Sequence, residues 1–304
     1  MSQPAFVASS KWLNFQKPMS PKKPGSFKLA LAQMPVTGAD LDGNLRRAAQ
    51  MIGAAATAGA QVVLLPEALD LGWTNPSSRR LAEPIPEGRA CRTCREAARE
   101  FGLYVCAGLT ERAAESVYNA AVLISPRGDL LLHHRKLNEL EIGHDVYDQG
   151  DRLAVAHTPL ATFGLMICAD ASVQGQFVAR TLGLMGADVI LSPAAWAVPP
   201  GYDNVRQPYG DIWRQGYRAV ARDFRVWVAG CSNVGRIEGG PWNGHSCIGC
   251  SLVVDPRGDP VLTGPYGEQA EELLMIDVRP EPRPARGTGW GAFWQKQSGA
   301  SGPA

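Results

Sequence analysis

Three strand-like runs in this chain each end in a reactive side chain: VVLLP leads to Glu67, DLLLHHR to Lys136 and FGLMI to Cys168. In α/β sheets the carboxyl edge of the strands is where ligands and catalytic groups collect. A thiol becomes a nucleophile once a base takes its proton, and a carboxylate in an apolar pocket has the raised pKa that suits such a base. Glu67 is preceded by Pro66 and followed by Ala68-Leu69-Asp70-Leu71-Gly72-Trp73, an apolar and aromatic stretch. Cys168 stands between an apolar strand and Ala169-Asp170, with a helical pattern beginning near Gln174. That strand-to-turn geometry exposes a nucleophile and offers backbone N–H groups to an oxyanion. No His is an obvious partner for Cys168, since His133 and His134 share the Lys136 strand and His144 falls in a loop. A carboxylate base paired with a lysine is the alternative. Taken singly, each residue also has an ordinary reading as loop or core.

The elements that must carry these groups form an α/β pattern. Short β-rich runs recur at Phe27–Gln33, Gln61–Leu65, Leu103–Leu109, Val117–Ile124, Asp129–His134, Phe163–Cys168, Ala187–Leu191, Arg225–Cys231, Ser246–Val254 and Glu272–Val278. Helical patterns lie between them at Leu41–Ala58, Arg89–Phe101, Gln174–Met185 and Tyr209–Asp223. Runs such as VVLLP and DVILSP are apolar without alternation, as strands covered on both faces should be. AAVLISPRGDLLLHH and GCSLVVDPRGDPVL read as hairpins that turn at Pro-Arg-Gly-Asp. Their likeness fits either an internal repeat or a common hairpin turn. Residues 1–26 hold four lysines, four prolines and no acid, and read as an extended arm. The folded domain is expected over 27–279, and 280–304 as a tail whose Trp290, Phe293 and Trp294 would dock on something.

Composition narrows the function classes. Thirty Lys plus Arg against 29 Asp plus Glu among 304 residues leave a net charge of +1, too little to concentrate nucleic acid or anionic lipid. With 45% hydrophobic and 19% charged residues the chain can bury a large core. No stretch of eighteen apolar residues is present and the first 25 residues lack a signal-peptide core, so a cytoplasmic protein without membrane contact is expected. Seven cysteines, an odd number, argue against a disulfide framework.

Other chemistries find little support. There is no phosphate-binding or dinucleotide-binding glycine loop and no H-E-x-x-H helix. Gly244-His245-Ser246-Cys247-Ile248-Gly249 lacks the spacing of a serine-hydrolase elbow. Cys91-x-x-Cys94 and Cys247-x-x-Cys250 have zinc-pair spacing, but the first pair lies on a predicted helix and the second on a predicted strand, about 150 residues on. Buried structural cysteines are the expectation, with no metal and no cofactor; a zinc-stapled interaction protein is the competing class.

In order along the chain, KLALAQMPV, AGAQVVLLPEALDLGW, YNAAVLISPRGDLLLHHRKLNELEIG, FGLMICAD, GADVILSPAAW, VAGCSNVG and NGHSCIGCSLVVDPRGDPV resemble the blocks of the nitrilase superfamily of carbon–nitrogen hydrolases. The resemblance spans about residues 27–278. It implies a four-layer αββα sandwich with two central mixed sheets flanked by helices, and internal pseudo-twofold symmetry. It further implies a homodimer or higher homo-oligomer, built through helices and with the tail reaching the partner.

By the same resemblance, Glu67 is the general base, Cys168 the nucleophile, and Lys136 with the Ala169 backbone N–H the oxyanion donors. A second Glu supports the lysine in this family. KLNELEIGHDVYDQGD offers Glu139 and Glu141, and Glu141 is taken as that partner with Glu139 in reserve. Trp196 and Tyr202 are candidate substrate contacts on a variable wall. Ala169-Asp170 after Cys168, in place of the Trp-Glu of true nitrilases, shifts the expected substrate toward a small linear amide. N-carbamoyl compounds and nitriles are the alternatives, and no Arg is assigned to grip a substrate carboxylate.

Overall fold

A computed structural model describes residues 25–172 and 176–282. Along the chain come β1 (Phe27–Gln33), α1 (Leu41–Thr57), β2 (Val62–Leu64), the short α2 (Ser78–Leu81), α3 (Arg89–Phe101), β3 (Tyr104–Ala113), β4 (Ser116–Ile124) and β5 (Leu130–Arg135). A 3-10 turn at Glu141–Gly143 precedes β6 (Val155–His157) and β7 (Thr162–Leu165), and a second one, Cys168–Ala171, precedes α4 (Gln176–Met185). Then follow β8 (Val189–Ala194), β9 (Ala197–Val198), α5 (Asp211–Phe224), β10 (Trp227–Ser232), β11 (Val234–Arg236), β12 (Ser246–Ile248), β13 (Leu252–Val254), β14 (Pro260–Thr263) and β15 (Glu272–Val278).

Two six-stranded mixed sheets form the centre, in the orders β15-β1-β2-β3-β4-β5 and β6-β7-β8-β10-β13-β14. Each has three parallel strands, an antiparallel hairpin on one side and one antiparallel strand on the other. The two Pro-Arg-Gly-Asp hairpins, β4–β5 and β13–β14, occupy the same place in the two sheets. Of the two explanations for their likeness, the shared topology selects the repeat. A small third sheet, β11-β12-β9, lies beside them.

Strand alternation assigns the layers. In β1, Leu29 and Leu31 enter the core shared with Phe163, Leu165, Val189 and Leu191 of the second sheet, whereas Ala30 and Ala32 meet Ala48 and Ile52 of α1 and Cys94 of α3. The first sheet is thus covered by the second on one face and by helices on the other, which is why its strands read as continuous apolar runs. On the far side, Val178 and Leu182 of α4 and Tyr217 and Val220 of α5 cover the second sheet. The result is the four-layer αββα sandwich. Among the described residues no helix is long and apolar enough to cross a membrane.

Some expected strands are shorter than their apolar runs, among them Gln61–Leu65, which is β2 over Val62–Leu64 alone. Phe163–Cys168 ends as β7 at Leu165. Ser246–Val254 divides into β12 and β13, because Gly249 and Cys250 take positive φ values of 67° and 59° and break the ladder. The expected arm, apart from its last two residues, and the tail aromatics Trp290, Phe293 and Trp294 lie outside the described residues.

Candidate active site

Glu67 follows β2, and its backbone N–H donates to the carbonyl of Ala194 at 3.2 Å, across to the end of β8 in the other sheet. Gly108 of β3 packs against this point. A Cβ there would lie 2.6 Å from the Glu67 Cα, so only glycine allows the approach. Lys136 leaves β5 with its N–H on the Asn119 carbonyl at 2.9 Å. Cys168 opens the 3-10 turn after β7 with φ +43°, a left-handed conformation that a non-glycine residue holds only when its surroundings enforce it.

These separate segments bring three groups together. The Lys136 Nζ donates to Glu67 Oε1 at 2.8 Å and to Glu139 Oε1 at 3.2 Å. Asn119 Nδ2 donates to the same Glu67 Oε1 at 2.6 Å and to Glu139 Oε2 at 3.3 Å. The Cys168 thiol lies close enough to the Glu67 carboxyl and to the Ala195 backbone N–H for both to act on its pKa, Glu67 raising it and the N–H lowering it. Glu67 Oε2 is buried without a hydrogen-bond partner. The Lys136 ammonium also lies 5.7 Å from the centre of the Trp73 ring. Glu67, Lys136 and Cys168 are all buried, at 0%, 1% and 5% exposure.

Burial sets the electrostatics. Desolvation raises the Glu67 carboxyl above its ordinary range, against the opposing pull of Lys136. Burial also works to lower the Lys136 pKa, but the Glu67 and Glu139 carboxylates outweigh it and hold the ammonium charged. The Cys168 thiol is raised well above its usual range by burial and by Glu67. A neutral thiol beside an acceptor carboxylate and a fixed ammonium can be deprotonated as it attacks an electrophilic carbon, with the developing anion facing Lys136.

The geometry revises part of the expected set. Glu139, not Glu141, contacts Lys136. Glu141 is the exposed first residue of the 3-10 turn Glu141–Gly143, while the Glu139 side chain is 2% exposed and points inward beneath that turn. Trp196 is a core residue, stacked on Trp213 at 5.1 Å and tilted against Tyr217, so it backs the site from within instead of presenting a face to a ligand. Tyr202 is half-buried; its hydroxyl donates to the Gln207 carbonyl and its ring meets the edge of Tyr209. Tyr209, whose hydroxyl accepts from Trp213 Nε1 at 2.9 Å, lies like Tyr217 near enough to Cys168 for the two groups to influence each other's ionisation. Ala169 is buried in the turn, with its carbonyl held by Asn138 Nδ2 at 2.6 Å.

Asn119 and the Ala195 N–H were not singled out from sequence. A buried Asn inside the apolar strand YNAAVLI was the available signal for the first; nothing local marks the second. All seven cysteines are free thiols. Cys91 and Cys94 pack under α3 against the first sheet, whereas Cys247 belongs to a separate cluster with Ala68 and Trp73. Among the described residues no group of three or more His, Cys, Asp or Glu side chains is placed to hold a metal ion.

Comparison with known proteins gives the same architecture. The carbon-nitrogen hydrolase family model matches residues 28–283. A nitrilase of Pyrococcus abyssi is 30% identical over 255 residues, 83% of this chain and 90% of that protein. Omega-amidase NIT2 of Mus musculus is 30% identical over 263 residues, 83% of this chain and 88% of that protein. Among solved structures, a carbon-nitrogen hydrolase from Helicobacter pylori G27 superposes with a TM-score of 0.73 at 20% identity, covering 83% of this chain and 89% of that one. The chain belongs to the carbon–nitrogen hydrolase family, within the nitrilase superfamily, and is a hydrolase acting on C–N bonds.

Proposed function

We propose that the protein hydrolyses a small linear amide through a thioester on Cys168. The observation that carries this reading is the Glu67 carboxyl held between the Lys136 ammonium and the Cys168 thiol. Glu67 takes the thiol proton as sulfur attacks the amide carbon, and the oxyanion is met by Lys136 and the Ala169 N–H. The C–N bond then breaks and Glu67 returns the proton to the departing ammonia or amine, leaving the thioester. Water attacks next, with Glu67 as base. Collapse of the second adduct releases the carboxylic acid and the thiol. Each oxyanion donor in such a site is worth about 10²–10³ in rate.

Ala169-Asp170 after the cysteine supports an amide over a nitrile, while the relatives at 30% identity include both an omega-amidase and a nitrilase. Matched amide, N-carbamoyl and nitrile substrates, scored by released ammonia, test this: the amide should turn over fastest, and a preference for the nitrile or carbamoyl compound would reject it. The reading includes a homodimer. Phe177 and Leu184, seven residues apart on α4, and Ile212 on α5 are large apolar side chains left exposed on the outer helical layer. Sedimentation should show a dimer that Phe177→Glu dissociates, and a wild-type monomer would reject this part.

A further inference from the structure

Cys168 and Lys136 come from different sheets, yet an oxyanion must find both within hydrogen-bond reach of one carbon. Asp170 links the two segments. It is fully buried and accepts four hydrogen bonds. Its Oδ2 takes the Ile167 N–H at 2.9 Å, immediately before Cys168, and His134 Nε2 at 2.9 Å, two residues before Lys136. Its Oδ1 takes the N–H groups of Leu137 at 3.2 Å and Asn138 at 2.8 Å, immediately after Lys136. Asn138 completes the tie in the other direction, with Nδ2 donating to the Ala169 carbonyl at 2.6 Å and to Ser172 Oγ at 3.2 Å. The Ile167 bond closes the turn that carries the sulfur on itself, and the other struts run between that segment and the strand end that carries the ammonium.

We infer that Asp170, with Asn138 and His134, forms a positioning group that holds Cys168 in register with Lys136 and sustains the left-handed backbone at Cys168. None of the three is placed to touch the reacting carbon. This role rests on the thioester reading above, since a register between sulfur and ammonium matters only if both act on one carbon. A displacement of about 1 Å at a reacting group costs about 10²-fold in rate, and it acts on the bond-making step more than on substrate capture.

The test measures kcat and KM on a turned-over amide, and the rate of Cys168 alkylation by iodoacetamide at fixed pH. The proteins are the wild type, Asp170→Asn, Asn138→Ala, His134→Ala and His134→Gln, each checked for folding by circular dichroism. Asn138→Ala and His134→Ala are expected to lower kcat by about 10- to 100-fold with KM within about twofold. Alkylation should slow in parallel, and His134→Gln, which restores an N–H donor, should recover most of the loss. Asp170→Asn should be the most damaged; if it does not fold, the Asn138 and His134 variants decide. Folded Asn138→Ala and His134→Ala proteins that retain wild-type kcat, or that lose activity through KM alone, would overturn the inference, as would the absence of any recovery in His134→Gln. Cys168→Ala separates the two levels: full turnover in that variant would reject the thioester reading itself. Cys168-dependent turnover that is indifferent to Asn138 and His134 would reject only the positioning group.

Discussion

Replacing Glu139 by Gln, with Glu141→Gln as its counterpart, separates the carboxylate that touches Lys136 from the one that is merely near it in sequence. Glu139 Oε1 lies 3.2 Å from the Lys136 Nζ and also accepts the Leu140 N–H at 3.1 Å, while Oε2 accepts from Asn119 at 3.3 Å. Gln at this position keeps an oxygen for Lys136 but loses the charge, and its amide nitrogen would face the Asn119 Nδ2 donor. A hydrogen bond to a charged group contributes about 1.5–3 kcal/mol, so the loss in kcat should be about 10- to 150-fold. The pH profile should move as well. Glu139 pushes the Glu67 pKa upward, and Glu67 must be unprotonated to act as base, so removing the Glu139 charge shifts the acidic limb toward lower pH. Initial rates of ammonia release across pH, with a melting curve for each variant, supply the measurement. Glu141→Gln should stay within about twofold of wild type, as expected for an exposed side chain outside such a network. Equal losses in the two variants, or an unshifted limb in Glu139→Gln, would refute this assignment of the second carboxylate.

Gly216 lets α5 rest on the cysteine turn, and a Cβ there would lie 2.5 Å from the Ala171 carbonyl oxygen. Gly216→Ala should therefore cost about 1–3 kcal/mol in urea unfolding and lower turnover, whereas an unchanged midpoint would contradict the packing. Asp70 is buried, and desolvation lifts its carboxyl from 3.8 to about 6 against the opposing N–H donors of Thr110 and Leu71. Because its folded pKa is raised, its stabilising contribution is complete below about pH 4 and fades as pH rises through about 6. The stability of the wild type relative to Asp70→Asn should fall by about 2.4 kcal/mol between pH 4 and pH 7, and a pH-independent difference would count against it.

Much of this organisation is legible without coordinates because burial on both faces leaves apolar runs of strand length. β1, α3 and β15 follow the patterns residue for residue. The failures are local and have physical causes. Apolar character persists through Met166 and Ile167, so nothing in composition marks where β7 stops and the Cys168 turn begins. Glu139 and Glu141 differ by two residues on an irregular segment, where no helical or strand period says which carboxylate turns inward. Trp196 looks like a wall residue in a loop-rich stretch, but stacking on Trp213 from α5 places it in the core, a contact made between elements distant in the chain. Asn119 is visible as a polar residue in an apolar strand, although its use, holding both Glu67 and Glu139, depends on how three segments converge.

Acid-quenched mass spectrometry during steady turnover of an amide bears most directly on whether sulfur, carboxylate and ammonium act as one unit. The wild type should carry an adduct equal to the substrate less ammonia, localised to the peptide containing Cys168, and Glu67→Gln should show neither adduct nor turnover. Sustained ammonia release from a Cys168→Ala protein, or an acyl group found on another residue, would contradict it.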